Sequence, residues 1–385
     1  MKKLFFITGE SSGDLHGANL LLELYKLIPK EDLIVHAIGS NRLKDAGADI
    51  FFDSRHLGSV GLTDVINNLS LYLNLEKELL NKLAIFRPNV LILIDFPGFN
   101  LRIAKKVKKL FPEIKIVYYL PPQVWAWNQG RTKILKENCD LVLCGLPFEE
   151  DFHKSRGVNA FYTGNPVLSE LDNFDRNQIR NELKVKNGNI LIGLFPGSRK
   201  SEIDYMLPVL LEGMKKLLKS FSNCIFIISQ AESITKEEIL KYTSSEIPIL
   251  EPGNNRKLLC ASDIVWLTSG TVTLEAALYE TPLILGYRSN WLNYSLYLLL
   301  KRINFIGLPN IISNEKLVPE LIQQNAKGEN YFENTKVWLE NPDKLNAIKT
   351  KLKQVKEKLG NKNASHEAAL KIRELIPEYK VVVFK

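Results

Sequence analysis

The chain of 385 residues has few of the residues that build metal centres or disulfide frameworks, and it lacks a long apolar run. It contains 4 cysteines, 5 histidines and 3 methionines. The cysteines lie on or beside apolar segments without metal-ligand spacing, so we expect reduced thiols in a cytosolic protein. The histidines show no ligand spacing either, and no metal site is expected. The longest apolar run, residues 291–300, is too short for a transmembrane helix and contains Asn293 and Ser295.

The charge balance is positive, because 51 Lys and Arg residues outnumber 43 Asp and Glu residues and give a formal net charge of +8. The basic residues are scattered, apart from the clusters at 105–109 and 349–358. Two explanations stay open: solvated helix faces, or attraction to an anionic membrane surface or to phosphorylated substrates. No nucleic-acid-binding motif accompanies the charge, so no nucleic-acid partner is expected.

Short apolar runs alternate with helical segments in two successive series. The predicted strands are residues 4–8, 33–38, 90–94, 114–119 and 141–144, then 190–195, 224–229, 264–268 and 283–285. Continuous apolar runs of this length are typical of buried parallel strands. The pattern predicts an α/β fold of two doubly wound domains, at 1–165 and 166–345. A helical tail at 346–385 is expected to pack back on the first domain or on a partner subunit.

Two segments of the second domain place small residues where a strand gives way to a helix. They are Gly197-Ser198-Arg199 and Ser269-Gly270-Thr271. Free N–H groups and the positive end of the helix dipole favour an anion at such a junction. Arg199 adds a fixed-charge fork suited to a diphosphate, and Glu275 adds a carboxylate suited to vicinal sugar hydroxyls. Together the two segments predict a nucleotide-diphosphate site.

The first domain has an acidic loop after its first strand. The loop contains Glu10, Ser11, Ser12 and Asp14. It lacks the GxGxxG fingerprint, so no dinucleotide is indicated. Carboxylates suit sugar hydroxyls better than phosphate, which makes this an acceptor-side loop; the open alternative is an ordinary turn in which Asp14 caps the helix.

Asp95 follows the apolar run 90–94 and would be partly desolvated at the rim of a buried strand. Its pKa is therefore expected to rise towards that of a general base, unless it merely caps the next helix. Beyond the following strand, Trp125 and Trp127 could pack a sugar or an acyl chain, or could belong to the core. Arg131 is a candidate for a phosphate contact.

An apolar stripe at helical spacing lies between the predicted strands 33–38 and 90–94. Its residues are Leu62, Val65, Ile66, Leu69, Tyr72 and Leu73. The stripe either faces the core or dips into a bilayer interface. Residues 291–300, followed by Lys301 and Arg302, carry the same ambiguity.

Taken together, the motifs resemble the lipid-A-disaccharide synthase family, whose members are glycosyltransferases of GT-B architecture. The resemblance covers nearly the whole chain. It rests on the segments 9–14, 58–62, 94–100, 122–127, 196–199, 269–275, 287–288 and 308–310. It implies two Rossmann-like domains facing a central cleft. The valine-tryptophan-alanine-tryptophan and leucine-proline-asparagine signatures are its most specific matches.

The resemblance further implies an inverting, metal-independent transfer without a cofactor. The donor is UDP-2,3-diacylglucosamine, the acceptor is 2,3-diacylglucosamine 1-phosphate, and a β-1,6 bond forms as UDP leaves. Asp95 matches the family aspartate and takes the role of base. The donor set gains Arg288 and Asn310, the latter lining the nucleotide pocket. The implied location is cytoplasmic, peripheral on the inner membrane, and association into a homodimer is left open.

Two positions depart from the family pattern. Gly98 stands where the family has a second acid, and Asn165 stands where it commonly has histidine. Both bear on the acceptor chemistry. The alternatives are another UDP-sugar GT-B enzyme, such as a UDP-N-acetylglucosamine epimerase or a peptidoglycan glycosyltransferase, or a nucleotide-sugar-binding protein without catalysis.

Overall fold

A computed structural model describes residues 1–57, 69–126, 128–243, 246–289 and 303–376, without the side chain of residue 69. The chain divides into two compact units. The first comprises Met1–Ser169 and Asn361–Lys385, and the second comprises Glu170–Gly360. The boundary therefore follows residue 169 rather than residue 165, and residues 346–360 fold with the second unit.

The first unit has a seven-stranded sheet in the order β3-β2-β1-β4-β5-β6-β7. Its strands are β1 (Lys2–Ile7), β2 (Leu33–Gly39), β3 (Asp49–Asp53), β4 (Val90–Ile94), β5 (Lys115–Tyr119), β6 (Leu141–Cys144) and β7 (Ala160–Tyr162). All neighbouring strands run parallel. The central ones are continuous apolar runs because helices cover both faces of the sheet.

The helices of the first unit connect these strands. They are α1 (Ser11–Leu27), α2 (Asn41–Asp45), α3 (Leu69–Phe86), α4 (Pro97–Leu110), α5 (Arg131–Asn138), α6 (Pro147–Lys154), α7 (Pro166–Ser169) and α16 (Ala364–Leu375), with short 3-10 turns at Lys30–Asp32 and Ser54–Leu57. Successive residues of β1 lie on opposite faces of the sheet and pack into different hydrophobic cores. Phe6 packs with α1 and α16, whereas Phe5 packs with α3 and α4.

The second unit has a six-stranded parallel sheet in the order β10-β9-β8-β11-β12-β13. Its strands are β8 (Ile190–Phe195), β9 (Cys224–Ser229), β10 (Ile249–Leu250), β11 (Ile264–Thr268), β12 (Leu283–Tyr287) and β13 (Glu320–Ile322). Its helices are α8 (Arg176–Glu182), α9 (Lys200–Ser220), α10 (Lys236–Leu240), α11 (Asn255–Ala261), α12 (Val272–Leu278), α13 (Leu308–Ser313), α14 (Gly328–Glu340) and α15 (Pro342–Leu359), with a 3-10 turn at Gln323–Asn325.

The architecture confirms the predicted α/β class with two doubly wound parallel sheets. The four strands that the sequence did not predict, β3, β7, β10 and β13, are the edge strands of the two sheets. The four cysteines are free thiols, two of them buried. Among the described helices, none is both long and apolar enough to cross a membrane.

Candidate functional site

Each sheet has one point where the strand order reverses, and the candidate residues lie there. In the first unit this point is between β1 and β4, and in the second it is between β8 and β11. Ligands of doubly wound folds bind beyond the carboxyl ends of the strands at such a point. Glu10 and Asp95 follow β1 and β4, while Gly197 and Ser269 follow β8 and β11.

Asp95 lies in a turn with a left-handed backbone conformation, which residues other than glycine rarely adopt. Asp95 and Phe96 have φ angles of 46° and 49°. Two such residues in succession cost about 1–3 kcal/mol each, so surrounding contacts must hold them. Two side chains donate hydrogen bonds to the main-chain oxygen of Asp95: Tyr118 Oη at 2.7 Å and Asn100 Nδ2 at 2.8 Å. These bonds fix where the turn presents the carboxyl group.

The surroundings of Asp95 raise the pKa of its carboxyl group. Burial raises the pKa of Asp95 to about 6, and the negative charge of Glu10 adds to the rise. The charge of His16 and a backbone hydrogen bond act in the opposite direction. A carboxylate with this pKa is mostly ionised at pH 7 yet basic enough to accept a proton from a hydroxyl. The expectation of a raised pKa at this position is met in direction.

Arg131 is the first residue of α5 and is partly buried. Burial raises the pKa of Tyr118 well above its ordinary value, and the positive charge of Arg131 opposes that rise. Arg131 thus lies near the hydroxyl that holds Asp95. Its role as a phosphate contact stays a prediction.

Phe96 is held from two sides. A β-carbon at Gly9 would lie 2.3 Å from the Phe96 ring, so only glycine fits there. On another side the ring of Tyr72 lies 6.2 Å, centroid to centroid, from Phe96 and 6.2 Å from Phe99. These contacts join the start of α1 and the start of α3 to the turn that carries Asp95.

In the second unit, the ends of β8 and β11 border a cavity of about 180 Å³. The lining includes Gly197, Ser198, Glu202, Thr268, Ser269, Gly270, Thr271 and Glu275. The structure thereby brings together most of the predicted diphosphate-binding residues. Arg199 follows Ser198 directly, and its side chain is 63% exposed.

The β11 side of this cavity has donors that bind nothing else in the described part of the chain. The N–H groups of Gly270, Thr271 and Val272 have no hydrogen-bond partner there. The hydroxyl of Thr268 is buried and also lacks a partner among the described residues. The N–H groups of Gly270 and Thr271 belong to exposed residues, so they are accessible to a ligand, whereas the buried Thr268 hydroxyl is costly to leave unpaired. Together these donors suit an anion's oxygen atoms.

The β8 side is different, because its N–H groups are already used. Ser198 N donates to Glu202 Oε2 at 2.8 Å, and Arg199 N donates to the same oxygen at 3.3 Å. The expectation of free N–H donors in this segment is therefore wrong for the structure described. The sequence signal was present: a carboxylate three residues into a helix closes a capping box.

Glu275 lies one turn into α12 with 19% of its side chain exposed, and it lines the cavity. Arg256 Nε donates to Glu275 Oε1 at 2.9 Å. Arg256 also bonds the main-chain oxygen of Glu170 and the carboxylate of Asp172. The sequence does not predict this role of Arg256, since nothing in the local pattern pairs residues 256 and 275.

Comparison with known proteins decides the family. The sequence profile described as lipid-A-disaccharide synthetase matches residues 4–374. The chain belongs to the lipid-A-disaccharide synthetase family. A similar curated relative is the lipid-A-disaccharide synthase of Myxococcus xanthus, 34% identical over 383 residues, or 98% of this chain and 99% of the relative. As a member of this family, the chain is a glycosyltransferase of lipid A biosynthesis that uses a UDP-sugar.

Solved structures support the GT-B fold. A UDP-GlcNAc 2-epimerase from Neisseria meningitidis, bound to UDP-GlcNAc, matches with a TM-score of 0.64 at 14% identity, covering 97% of this chain and 99% of that chain. The glycosyltransferase of kitacinnamycin matches with a TM-score of 0.62 at 11% identity, covering 97% and 99%. At these identities the likeness concerns the fold alone, so it gives no support to the epimerase alternative.

Asp14 has a structural role, because its carboxylate is hydrogen-bonded to the start of α2. It is buried, and its carboxylate accepts hydrogen bonds from Ser40 N at 2.6 Å, Ser40 Oγ at 2.6 Å and Arg42 N at 3.0 Å. It therefore caps α2 rather than α1, which begins earlier, at Ser11. Glu10, Ser11 and Ser12 are exposed and stay acceptor-side predictions.

Trp125 belongs to the core. It is 6% exposed, and its Nε1 donates to Glu149 Oε1 at 2.8 Å. Glu149 is itself buried, and its other oxygen accepts from the N–H groups of Gly145 and Leu146. Burial raises the pKa of Glu149 to about 7, against the opposing effect of these hydrogen bonds. The sugar-packing interpretation of Trp125 gives way to the core alternative, whereas Trp127 lies outside the described residues.

Asn310 is also structural, contrary to its expected place in the nucleotide pocket. It is fully buried, and Oδ1 accepts from Leu317 N and Val318 N at 2.8 and 2.9 Å. Its Nδ2 donates to Val318 O and Glu320 Oε1 at 3.0 and 2.9 Å. No hydrogen-bonding capacity remains for a ligand, so Asn310 stabilises the connection between α13 and β13. Arg288 donates from Nε to the main-chain oxygen of Gln323 at 3.3 Å.

The structure describes only part of the apolar stripe, and the described part contains both a packed and an exposed side chain. Leu62, Val65 and Ile66, like residues 291–300, lie outside the described residues, as does the side chain of Leu69. Tyr72 packs on Phe96 and Phe99, so its ring takes part in the core contacts of α3. Leu73 is 42% exposed and can meet a membrane surface.

Gly98 and Asn165, the two positions expected to depart from the family pattern, cause no steric or hydrogen-bonding conflict in the structure. Gly98 is exposed, and a β-carbon there would meet no atom within 4 Å. Asn165 is buried and donates from Nδ2 to Gly145 O at 2.9 Å, while its Oδ1 accepts from Val167 N at 3.0 Å. Asn165 therefore ties the start of α7 to the end of β6.

Proposed function

We propose that this chain transfers 2,3-diacylglucosamine from its UDP form to 2,3-diacylglucosamine 1-phosphate with inversion, forming a β-1,6 disaccharide. The acceptor's 6-hydroxyl oxygen attacks the anomeric carbon of the donor. The bond from that carbon to the β-phosphate oxygen breaks, and UDP leaves with the electron pair. The hydroxyl proton goes to Asp95. The family match over residues 4–374 carries this proposal. The turn after β4, in which Tyr118 and Asn100 hold the main chain of Asp95, supports the role of base.

The donor's diphosphate is assigned to the cavity at the ends of β8 and β11. The unpartnered N–H groups of Gly270, Thr271 and Val272 and the buried hydroxyl of Thr268 supply donors. Arg199 supplies a positive charge, and Glu275 holds sugar hydroxyls. We propose that these groups stabilise the leaving UDP without a metal ion, a task worth roughly 3–4 kcal/mol per donor in comparable sites.

The acceptor is assigned to the first unit. Glu10 lies close enough to Asp95 for its charge to act on the carboxyl group, and Ser11 and Ser12 are exposed beside it. The exposed Leu73 and the excess of basic residues favour a peripheral location on the cytoplasmic face of the inner membrane.

The test is an assay with the two acylated monosaccharides in mixed micelles, comparing the wild type with Asp95→Asn. Turnover should require both substrates and should fall in the variant, while UDP binding to the second unit stays unchanged. Retained turnover in Asp95→Asn would remove Asp95 from the role of base. Absence of turnover in the wild type, with UDP still bound, would favour the non-catalytic alternative.

A further inference from the structure

Glu202 places a negative charge inside the cavity assigned to the diphosphate. Its side chain is only 15% exposed, and Oε2 accepts hydrogen bonds from the N–H groups of Ser198 and Arg199. These are the donors of a strand-to-helix junction, where an anion's oxygen atoms would otherwise bind. A side-chain carboxylate is thus already present where part of a diphosphate would lie.

The backbone is shaped to admit this carboxylate. Gly197 has a φ angle of +128°, a conformation suited to glycine, and a β-carbon there would lie 2.4 Å from Glu202 Cβ and 2.6 Å from Oε2. Any other residue at position 197 would collide with Glu202. Glycine at position 197 therefore leaves the space that the Glu202 side chain occupies.

Among the described residues, the one ion pair of Glu202 is a long one with Arg199. Arg199 Nη1 is 3.9 Å from Glu202 Oε1, and the Arg199 side chain is mostly exposed. The carboxylate also acts on Tyr287. Burial raises the pKa of Tyr287, and the negative charge of Glu202 adds to the rise. An anion entering the cavity therefore meets a carboxylate that two N–H donors and the exposed Arg199 side chain stabilise without removing its negative charge.

We propose that Glu202 is a specificity-determining residue that favours the UDP-sugar over its product UDP. This inference rests on the proposed function of the cavity. The β-phosphate of the donor is a diester with one negative charge, whereas the β-phosphate of free UDP carries up to one more charge above about pH 6. Repulsion by Glu202 therefore acts more strongly on UDP than on the donor, and it promotes product release.

The experiment replaces Glu202 by glutamine, which keeps an oxygen acceptor for the two N–H groups and removes the charge. The inhibition constant Ki of UDP and the KM of the donor are measured at pH 8 in the disaccharide assay. Glu202→Gln should lower the Ki of UDP roughly three- to tenfold and lower the donor KM less, so that the ratio of Ki to KM falls. Binding of uridine, which has no phosphate, should not change.

Glu238 offers a matched control in the same unit. It closes an equivalent capping box at α10, where Thr235 N donates to Glu238 Oε2 at 3.0 Å, and it does not line the cavity. Glu238→Gln should leave the ratio of Ki to KM unchanged. An equal change in both variants would show that loss of a helix cap, not the charge in the cavity, is responsible.

Glu202→Ala provides a second route, because it removes the charge and frees both N–H groups; it should also lower the Ki of UDP. An unchanged ratio of Ki to KM in Glu202→Gln and Glu202→Ala, with uridine still bound, would overturn the inference. If the wild type bound neither UDP nor the donor, the proposed function itself would fail, and that result is distinct.

Discussion

The ring of Phe96 covers Gly9 so closely that a β-carbon at residue 9 would lie 2.3 Å from two ring atoms. Phe96 and its neighbour Asp95 both have positive φ angles, so this contact bears directly on the turn that presents the carboxyl group. The first strand of the unit and the candidate base are therefore coupled through one side chain.

Gly9→Ala should displace Phe96 and with it Asp95. We expect a loss of about 1–3 kcal/mol in the free energy of unfolding, as for an overpacked site, and a fall in kcat of tenfold or more. Denaturant unfolding and the disaccharide assay measure the two effects. Gly98→Ala is the control, because a β-carbon there meets nothing within 4 Å. Similar losses of kcat in both variants would argue against the coupling.

Asp95 should dominate the pH dependence of turnover. Because its pKa is about 6 and the ionised form is the base, kcat/KM should fall about tenfold per pH unit below 6 and level off above it. Asp95→Asn should lower kcat roughly 10²- to 10⁴-fold and abolish this limb of the profile. An unaltered profile in the variant would assign the titration to another group.

The raised pKa of Asp95 also affects the stability of the fold. The pKa of Asp95 in the folded state, about 6, exceeds its ordinary value of 3.8, so the folded state holds an extra proton between these values. The contribution of this group to the free energy of unfolding should therefore decrease as pH rises from about 4 to about 6. Thermal unfolding of Asp95→Asn against pH should lack that decrease.

Trp125→Phe should act on stability rather than on substrate binding. The change removes the indole donor from buried Glu149, which costs about 1–3 kcal/mol and raises the pKa of Glu149 further. Denaturant unfolding should report the loss, with the acceptor KM unchanged. A raised acceptor KM at wild-type stability would instead place Trp125 against the substrate.

Leu73→Ser should weaken binding to anionic vesicles at low salt. Removing one exposed leucine from a bilayer contact costs roughly 1 kcal/mol, or about fivefold in partitioning. Leu22→Ser is the matched control, since Leu22 is 49% exposed on α1 and is not part of the stripe. Equal weakening in the two variants, or none, would move the membrane contact elsewhere in the chain.

Arg199 should supply the positive charge that a metal ion supplies to the diphosphate in other UDP-dependent enzymes. Turnover should be unchanged in excess chelator, and Arg199→Met should lower kcat roughly 10²- to 10³-fold. The disaccharide assay with and without chelator tests both statements. Loss of turnover in chelator, restored by a divalent cation, would contradict this prediction.

The central strands and the loops that follow them were predictable from the sequence. β4, β6, β8, β9 and β11 occupy the predicted bounds, because strands covered on both faces must be apolar at every position. The four missed strands are edge strands of two to five residues, where one neighbour suffices and composition is mixed. Asp95 was found for the same reason as its strand: it ends an apolar run.

The partners of the polar side chains were not predictable. Asp14 bonds residue 40, Trp125 bonds residue 149, and Arg256 bonds Glu275, pairs that the chain separates by 19 to 26 positions. The sequence by itself determined two parallel sheets, the position of Asp95 and the small-residue turns of the cavity, because periodicity and burial act locally. Only the tertiary structure decided which polar groups remain unpaired, since a hydrogen-bond partner depends on which segments the fold brings within about 3 Å.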